Sequence, residues 1–534
     1  MTERYENKTG PMVSVIIPTF NRPRYFAEAL DSVVRQSYER LQIIVVNDGG
    51  EDVSGIVDSF GDCRITFINR KENRGKAHSL NEAIERAQGK YVAYLDDDDL
   101  FYPHHIETLV NVLENRTGCG AAYSDLYKVY CRICPDGSRL ALSKVVDVSR
   151  DFDRFLMLCF NHVLHVSLMH RRDLMEKTGL YNEKLNVLID WDMTRRLVFF
   201  SDFHHVSEVT GEYYQPAGDT ERISFKRRKD KEEYTRSVLA IRTTRPGKPW
   251  LKIADLSVIF LSDHLNKQAG ATIGAIWAHT FYPYKLYLPL PGADFGRLNT
   301  DMPNVVTVPV GQETTPDERL DKMLAQCEGE YVAIVPSGFP VGDMWIEDSL
   351  NALLNSSVPR EGFELEGSTD GVWAGVFRKE ELQFARGSFA EMSLRQSLKA
   401  AGIAMKRISC EQILFKFDSA YKEALAAEKE DNWILAAGIY EHIADNYQNT
   451  MWMRSLAARA YFKAGLEVKS RELSRSINQQ RPTPATLLLE AKVMRKQGDF
   501  DGAVELLGKA ERILSGEMDQ KYPVDTRIRS GAEG

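Results

Sequence analysis

Four apolar runs alternate with stretches of helical spacing over residues 12–95, and this rhythm restricts the fold more than any other feature of the chain. The runs are "MVSVIIPTF", "LQIIVVNDGG", "RITFINR" and "YVAYL". Between them lie "PRYFAEALDSVVRQS", with Phe26, Leu30, Val33 and Val34 at helical spacing, then "VSGIVDSF", then "GKAHSLNEAIERAQG", closed by Gly89. β-Branched runs joined by helical periods imply βαβ units and a mainly parallel sheet. In such open sheets ligands bind at the carboxyl ends of the strands. Polar clusters stand at three of those ends: "PTFNR", "NDGG" and "DDDD". They should meet in space although they are far apart in sequence.

The last cluster needs an explanation. Asp96, Asp97, Asp98 and Asp99 follow directly on an apolar strand. Like charges at that spacing repel and raise one another's pKa. Either the segment is a solvated acidic loop or positive charge meets it. Hard divalent cations such as Mg²⁺ and Mn²⁺ take oxygen ligands, often one or two carboxylates plus substrate phosphates. A cation so placed neutralises charge on a departing diphosphate. Asp48 ends another strand and suits hydrogen bonding to a base or ribose. Gly49 and Gly50 would let a ligand approach the backbone. Lys76 follows Asn73-Arg74-Gly75 at a helix start, where phosphate contacts are favoured.

The stretches "VSVIIPTFNRPRYFAEALDSVVRQSY", "IIVVNDGG", "NRGKAHSLNEAIERAQGKYVAYLDDDD" and "AAYSDLY" together resemble the inverting family-two nucleotide-sugar glycosyltransferases of the GT-A fold. The resemblance covers about residues 12–225. It implies a nucleoside-diphosphate-sugar donor, UDP-linked by first expectation, and a divalent metal, Mn²⁺ or Mg²⁺. Carried over, Pro18, Thr19, Asn21, Arg22 and Asp48 line the nucleotide pocket, with Gly49, Lys76, Asp96 and Asp97 beside them. Asp96 and Asp98 form the DxD motif around metal and diphosphate. The resemblance does not place Asp97 and Asp99 individually.

An inverting transfer is one displacement, so the attacking hydroxyl needs a carboxylate within hydrogen-bond reach. "NVLIDWDMTRRL" resembles the family segment that supplies it, in which Glu-Asp precedes Trp-Asp. Ile189 replaces the Glu here; Asp190, Trp191 and Asp192 remain. Asp190 is the expected base and Asp192 the second choice. Both also suit a helix N-terminus on electrostatic grounds alone. Family members often carry a histidine after the next, tyrosine-rich strand. "EYYQPAGDTERIS" has none, so Gln215 or Asp219 would have to stand in. His204 and His205 fall earlier, in "DFHHVSEV", and read as structural.

Beyond the charge run "KRRKDKEE" a fainter echo begins. "LSVIFLSD" repeats "VSVIIPTF" at an offset of 243 residues, and "RLDKMLAQCEGEYVAIVPSGF" repeats "SLNEAIERAQGKYVAYLDDDD" at 240. Asp48 maps onto Pro291 and the four aspartates onto Pro336, Ser337, Gly338 and Phe339. Glu391 near the base position cannot restore a metal–diphosphate site. A second GT-A-like α/β domain over 250–415, degenerate in chemistry, is expected. The end of the chain is helical, with Trp433, Leu466 and Phe500 spaced 33 and 34 residues apart and small residues Ala457, Ala458 and Ala491 between them. That period resembles tetratricopeptide repeats.

The expected architecture is therefore α/β: a Rossmann-like GT-A domain over 1–232, the second GT-A-like domain over 250–415, all-α repeats over 418–515 and a tail over 516–534. The first domain is expected to be separable near residue 232, with the others directing the sugar. A net charge of −8 argues against a general nucleic-acid binder. No apolar run approaches membrane-spanning length, and "MTERYENKTG" is not signal-like. A cytoplasmic place follows, with peripheral attachment to the inner membrane face as an alternative. Seven cysteines do not suggest a disulfide framework, and Cys131 and Cys134 form a lone CxxC. The resemblance implies a hexosyl- or N-acetylhexosaminyltransferase acting on a glycan or protein hydroxyl, as in polysaccharide biosynthesis or protein glycosylation, with a possible protein partner at the repeats. A non-catalytic glycan-binding or scaffold protein of the same fold is the alternative class.

Overall fold

The computed structural model describes residues 10–146, 148–216, 231–297, 303–342, 344–369, 372–389, 391–407, 413–446 and 451–515. The first sheet contains β1 (Val13–Thr19), β2 (Leu41–Asn47), β3 (Ile65–Asn69), β4 (Tyr91–Tyr94), β5 (Leu100–Phe101), β6 (Cys119–Ile133), β7 (Arg139–Val145), β8 (Leu168–Arg171) and β9 (Asp202–Pro216). Its order is β3-β2-β1-β4-β8-β6-β9-β5, with β7 on β6. The first four strands in that order are parallel, as the helical connections require. β8 then pairs antiparallel to both β4 and β6. Helices α1 (Pro23–Val34), α2 (Ser54–Phe60), α3 (Lys76–Arg86), α4 (His105–Asn115), α5 (Arg154–Cys159), α6 (Leu174–Thr178) and α7 (Ile189–Leu197) cover its faces.

The unbroken apolar runs are explained by burial on both sides. Val13, Val15 and Ile17 of β1 enter one core cluster, and Ile16 enters the other. β2 divides alike, Ile43 and Val45 against Ile44 and Val46. Strands covered on both faces cannot alternate apolar with polar.

After α8 (Lys231–Thr243) a second sheet forms from β10 (Leu256–Leu261), β11 (Tyr284–Pro291), β12 (Val305–Val310), β13 (Tyr331–Pro336), β14 (Glu361–Glu364), β15 (Gly375–Arg378) and β16 (Ala404–Arg407). Its order, β12-β11-β10-β13-β15-β14-β16, copies the first sheet through its fifth strand. Helices α9 (Lys267–His279), α10 (Pro316–Gln326), α11 (Glu347–Asn355), α12 (Lys379–Ser388) and α13 (Leu394–Ala400) accompany it. Where the first domain carries Asp99, Phe339 is 2% exposed, with its ring centroid 5.9 Å from that of Trp345. A buried aromatic side chain thus stands where the first domain has a buried carboxylate.

The separability expected near residue 232 does not fit this arrangement. One continuous cluster of buried side chains takes in Ile44 and Val92 from the first sheet and Val258, Leu288 and Val335 from the second. Trp191 and Phe199 of the first domain and Ile241 of α8 lie in it too. A cut at 232 would run through a shared core.

Six helices end the described chain: α14 (Ile413–Lys429), α15 (Trp433–Asn446), α16 (Met451–Lys463), α17 (Glu467–Gln480), α18 (Pro484–Lys496) and α19 (Phe500–Ser515). Successive helices pack on one another. Asp431, Gly465 and Gly498 all have positive φ, each two residues before a helix start. A left-handed residue at the same place in three helix pairs gives the 33- and 34-residue spacing a backbone cause. The expected tail over 516–534 and Asp219 lie outside the described residues.

The helices dock on the β6–β7 hairpin. Leu487, Ala510 and Ile513 pack against Tyr127, Val129 and Cys131. Cys131 is buried and Cys134 half-buried. Arg481 pairs with Asp125 of β6 and donates to Ser149 Oγ at 3.2 Å. The same Asp125 lies 2.9 Å from His205 Nε2, whose Nδ1 lies 2.9 Å from Asp151. Burial lowers the His205 pKa, but the bonds and charge of Asp125 and Asp151 outweigh it and raise the pKa. A raised histidine contributes stability that is complete below about 6.5 and lost as pH rises through its folded value. The melting temperature should therefore fall between pH 6 and 8 by more in the wild type than in His205→Gln. Equal slopes in the two proteins would remove His205 from the account.

Candidate active site

The ends of β1, β2 and β4 do converge, and each of the four aspartates has a partner, Asp97 and Asp98 sharing one. Asp96 accepts from Lys76 Nζ at 2.5 Å. Asp97 accepts from Thr19 Oγ1 at 2.9 Å, from the Phe20 amide at 3.3 Å and from Arg22 Nη1 at 3.1 Å. Asp98 lies 2.9 Å from the same Arg22 nitrogen. Asp99 is buried and accepts from the Tyr214 amide at 3.0 Å. The repulsion inherent in "DDDD" is thus met by two cations, a hydroxyl and backbone amides.

The acids are not equivalent. Burial lifts the Asp97 carboxyl to about 6; Asp98 and Asp96 add to this, and Arg22 and Thr19 oppose it. At Asp96 burial also raises the pKa, but Lys76, His165 and Arg22 outweigh it and hold the carboxyl below its usual range. Asp96 and Lys76 keep 33% and 40% of their side chains exposed, and Asp98 keeps 19%. Asp97 and Asp99 are each less than a tenth exposed.

Asp48 is fixed at the end of β2 by protein partners. It is buried, and its oxygens accept from Arg70 Nη1 at 2.9 Å and from the Arg74 and Gly75 amides at 2.9 and 2.8 Å. It secures the loop that leads into α3 and so aims Lys76. Gly49 is also explained by that loop rather than by a ligand. Its φ is +74°, and a Cβ there would lie 2.3 Å from the Glu72 carbonyl carbon. A Cβ on Gly50 would strike the Asn21 amide at 2.7 Å. Asn21 itself, at φ +54°, accepts from the Glu51 amide at 2.9 Å. Pro18 lies in β1 opposite Val46.

Asp190 and Asp192 go to different environments. They stand about 200° apart around α7 at 100° per residue. Asp192 is 1% exposed and accepts from Arg196 Nη2 at 2.6 Å and Nε at 3.1 Å. That buried i,i+4 pair takes Asp192 out of reach of a substrate, which corrects the second choice of base. Asp190 is half-buried and accepts from Asn161 Nδ2 at 3.2 Å. Its charge is among those that raise the Lys76 pKa against burial, after Asp96 and before Asp98. The α7 start therefore lies within electrostatic range of Lys76. Leu188, just before it, holds φ +60°, a conformation costly for a branched side chain. Trp191 Nε1 donates to the Met157 carbonyl at 2.9 Å and fixes the helix beneath.

Four residues were missed by sequence reasoning. Arg139 reaches from β7 to the Asp98 carbonyl at 2.5 Å and lies 3.6 Å from the Tyr214 ring centroid. His165 is stacked 4.3 Å from Tyr94 and lies 2.7 Å from the Tyr181 hydroxyl. Asn161 and Arg70 complete the set. No local pattern announces them, since each acts across a distance of 20 or more residues. Gln215 pairs with Tyr130 across β6–β9.

The donor chemistry at Asp96 and Asp98 suits a hard divalent cation: two partly exposed carboxylates one residue apart on one loop. Among the described residues no group of three or more metal-ligating side chains occurs. Diphosphate oxygens and water would have to supply the rest. Among the described residues no helix is long and apolar enough to cross a membrane.

Residues 14–130 match the sequence profile described as glycosyl transferase family 2. An uncharacterized glycosyltransferase of Rickettsia prowazekii is 34% identical over 214 residues, which cover 38% of this chain and 64% of that protein. An uncharacterized glycosyltransferase of Bacillus subtilis is 30% identical over 185 residues, covering 34% of this chain and 67% of that protein. The chain thus spans about two thirds of the length of these relatives. Among solved structures, TarS 1-349 of S. aureus aligns with TM-score 0.34 and 17% identity over 43% of this chain and 64% of its own, too slight a likeness to argue from.

Proposed function

Since the chain belongs to glycosyl transferase family 2, we propose that its first domain moves a sugar from a nucleoside diphosphate to an acceptor hydroxyl in one inverting displacement. The observation that supports this reading is the carboxylate cluster after β4, where Asp96 meets Lys76 and Asp98 meets Arg22, with the charge of Asp190 also acting on Lys76. A displacement of this kind requires a base within hydrogen-bond reach of the attacking hydroxyl, a part that the half-buried Asp190 suits. Asp190 accepts the hydroxyl proton, and Asn161 orients its carboxylate. Thr19, Arg22 and the backbone between them border the nucleotide. Asp96 and Asp98 would hold Mn²⁺ or Mg²⁺, which neutralises charge on the departing diphosphate when bound. A UDP-linked sugar is the donor to test first, and a glycan or protein hydroxyl the acceptor class.

Calorimetry on the full chain with UDP and GDP, with and without Mn²⁺, tests the donor half. Metal-dependent binding of one nucleotide is expected. Asp98→Ala should weaken it about 10–100-fold, the scale for losing a contact between charged groups. Unchanged affinity in that variant would count against the assignment.

A further inference from the structure

We propose that Lys76 is a removable internal counter-ion: it occupies the cation seat at Asp96 until a nucleoside diphosphate draws it away, so that metal and nucleotide each bind more tightly in the presence of the other. The inference rests on the donor reading above.

Three observations support it. Lys76 Nζ sits 2.5 Å from Asp96 Oδ1, inside the space where a cation bound to that oxygen would stand. Hard divalent ions approach carboxylate oxygens to about 2.0–2.6 Å. An ammonium and a divalent ion on one oxygen repel each other strongly. The pair is also not locked in place, since both side chains keep a third or more of their surface. Finally, Lys76 is the first residue of α3, after Gly75 at φ +91°. The two amides just before that start already serve Asp48, so a diphosphate would be held there by the Lys76 side chain itself. Asp98, the other carboxylate, is likewise occupied by Arg22.

In the absence of nucleotide the acidic loop is thus neutralised from within. A diphosphate carries more negative charge than Asp96. Moving Lys76 onto it exposes the Asp96 oxygen at the moment the phosphate oxygens arrive to complete a coordination shell. Coupling of this kind is reciprocal: the nucleotide tightens the metal by the factor by which the metal tightens the nucleotide.

The test measures Mn²⁺ binding to the full chain by electron paramagnetic resonance and calorimetry, alone and with saturating UDP or GDP. In the wild type, Mn²⁺ should bind at least about tenfold more tightly with nucleotide than without, a coupling of about 1.4 kcal/mol. Lys76→Met should bind Mn²⁺ alone at least about tenfold more tightly than the wild type does, and the coupling should shrink. Lys76→Gln provides a second variant of different polarity. Equal Mn²⁺ affinity with and without nucleotide in the wild type overturns the inference without any variant having to fold. Metal-dependent nucleotide binding with no gain in Lys76→Met or Lys76→Gln also overturns it, but leaves the donor reading standing. Nucleotide binding that ignores metal in the wild type and vanishes in Lys76→Met would make the lysine a permanent replacement for the metal, which again overturns the proposal. If no nucleotide binds under any condition, the donor reading falls and this inference with it.

Discussion

Asp190→Asn should bind the nucleotide sugar as the wild type does and transfer it about 10²–10⁴ times more slowly, the usual worth of a positioned base. An amide is nearly the same size as a carboxylate and can keep a polar contact to Asn161, 3.2 Å away, but it cannot take a proton at neutral pH. Donor affinity by calorimetry and turnover by product release separate the two effects. The matched Asp192→Asn variant should behave differently. Its carboxylate is 1% exposed and bonded twice to Arg196, so its loss should appear first in stability. Near wild-type turnover in Asp190→Asn would remove Asp190 from the base role.

Arg195→Leu should lower the unfolding free energy by about 3–5 kcal/mol, the range for breaking a buried charged network. Arg195 is fully buried. Its Nη1 donates to the Ile241 and Thr244 carbonyls, each at 3.0 Å, and its Nη2 to those of Arg242 at 3.0 Å and Phe281 at 3.4 Å. Burial pulls its pKa down to about 9, while Asp192 opposes the shift, so it stays charged at neutral pH. Leucine would leave four carbonyls without this donor where water cannot replace it. The lost bonds also join α7, which carries Asp190, to the second domain. Urea denaturation followed by far-ultraviolet circular dichroism reads the effect. A shift below about 1 kcal/mol would mean that the surrounding backbone closes over the gap.

What the chain disclosed in advance was what repeats at short range. Strand runs such as "MVSVIIPTF" are legible because burial on both faces leaves no polar position. The "DDDD" cluster is legible because four like charges after a strand demand partners. The second sheet is legible because its strands kept the order and spacing of the first. What stayed hidden depends on contacts between distant segments. Nothing near Arg139 says that it will reach the Asp98 carbonyl, and nothing near Asp48 says that Arg70 and two amides will consume its oxygens. The choice between Asp190 and Asp192 was partly readable, since Asp192 and Arg196 stand four apart on a helix. That spacing favours an ion pair over a free base.

The shared core also sets what mutation can reach. Once two sheets close on one body of side chains, the second sheet is held by packing whether or not it carries carboxylates of its own. Losing Val258 or Leu288 would unsettle the first sheet as well, because they belong to the same cluster as Ile44 and Val92. Selection on transfer chemistry in one half therefore becomes selection on packing in the other. Residues on the surface of the second half can change freely, while those that enter the common cluster cannot change without cost to the first.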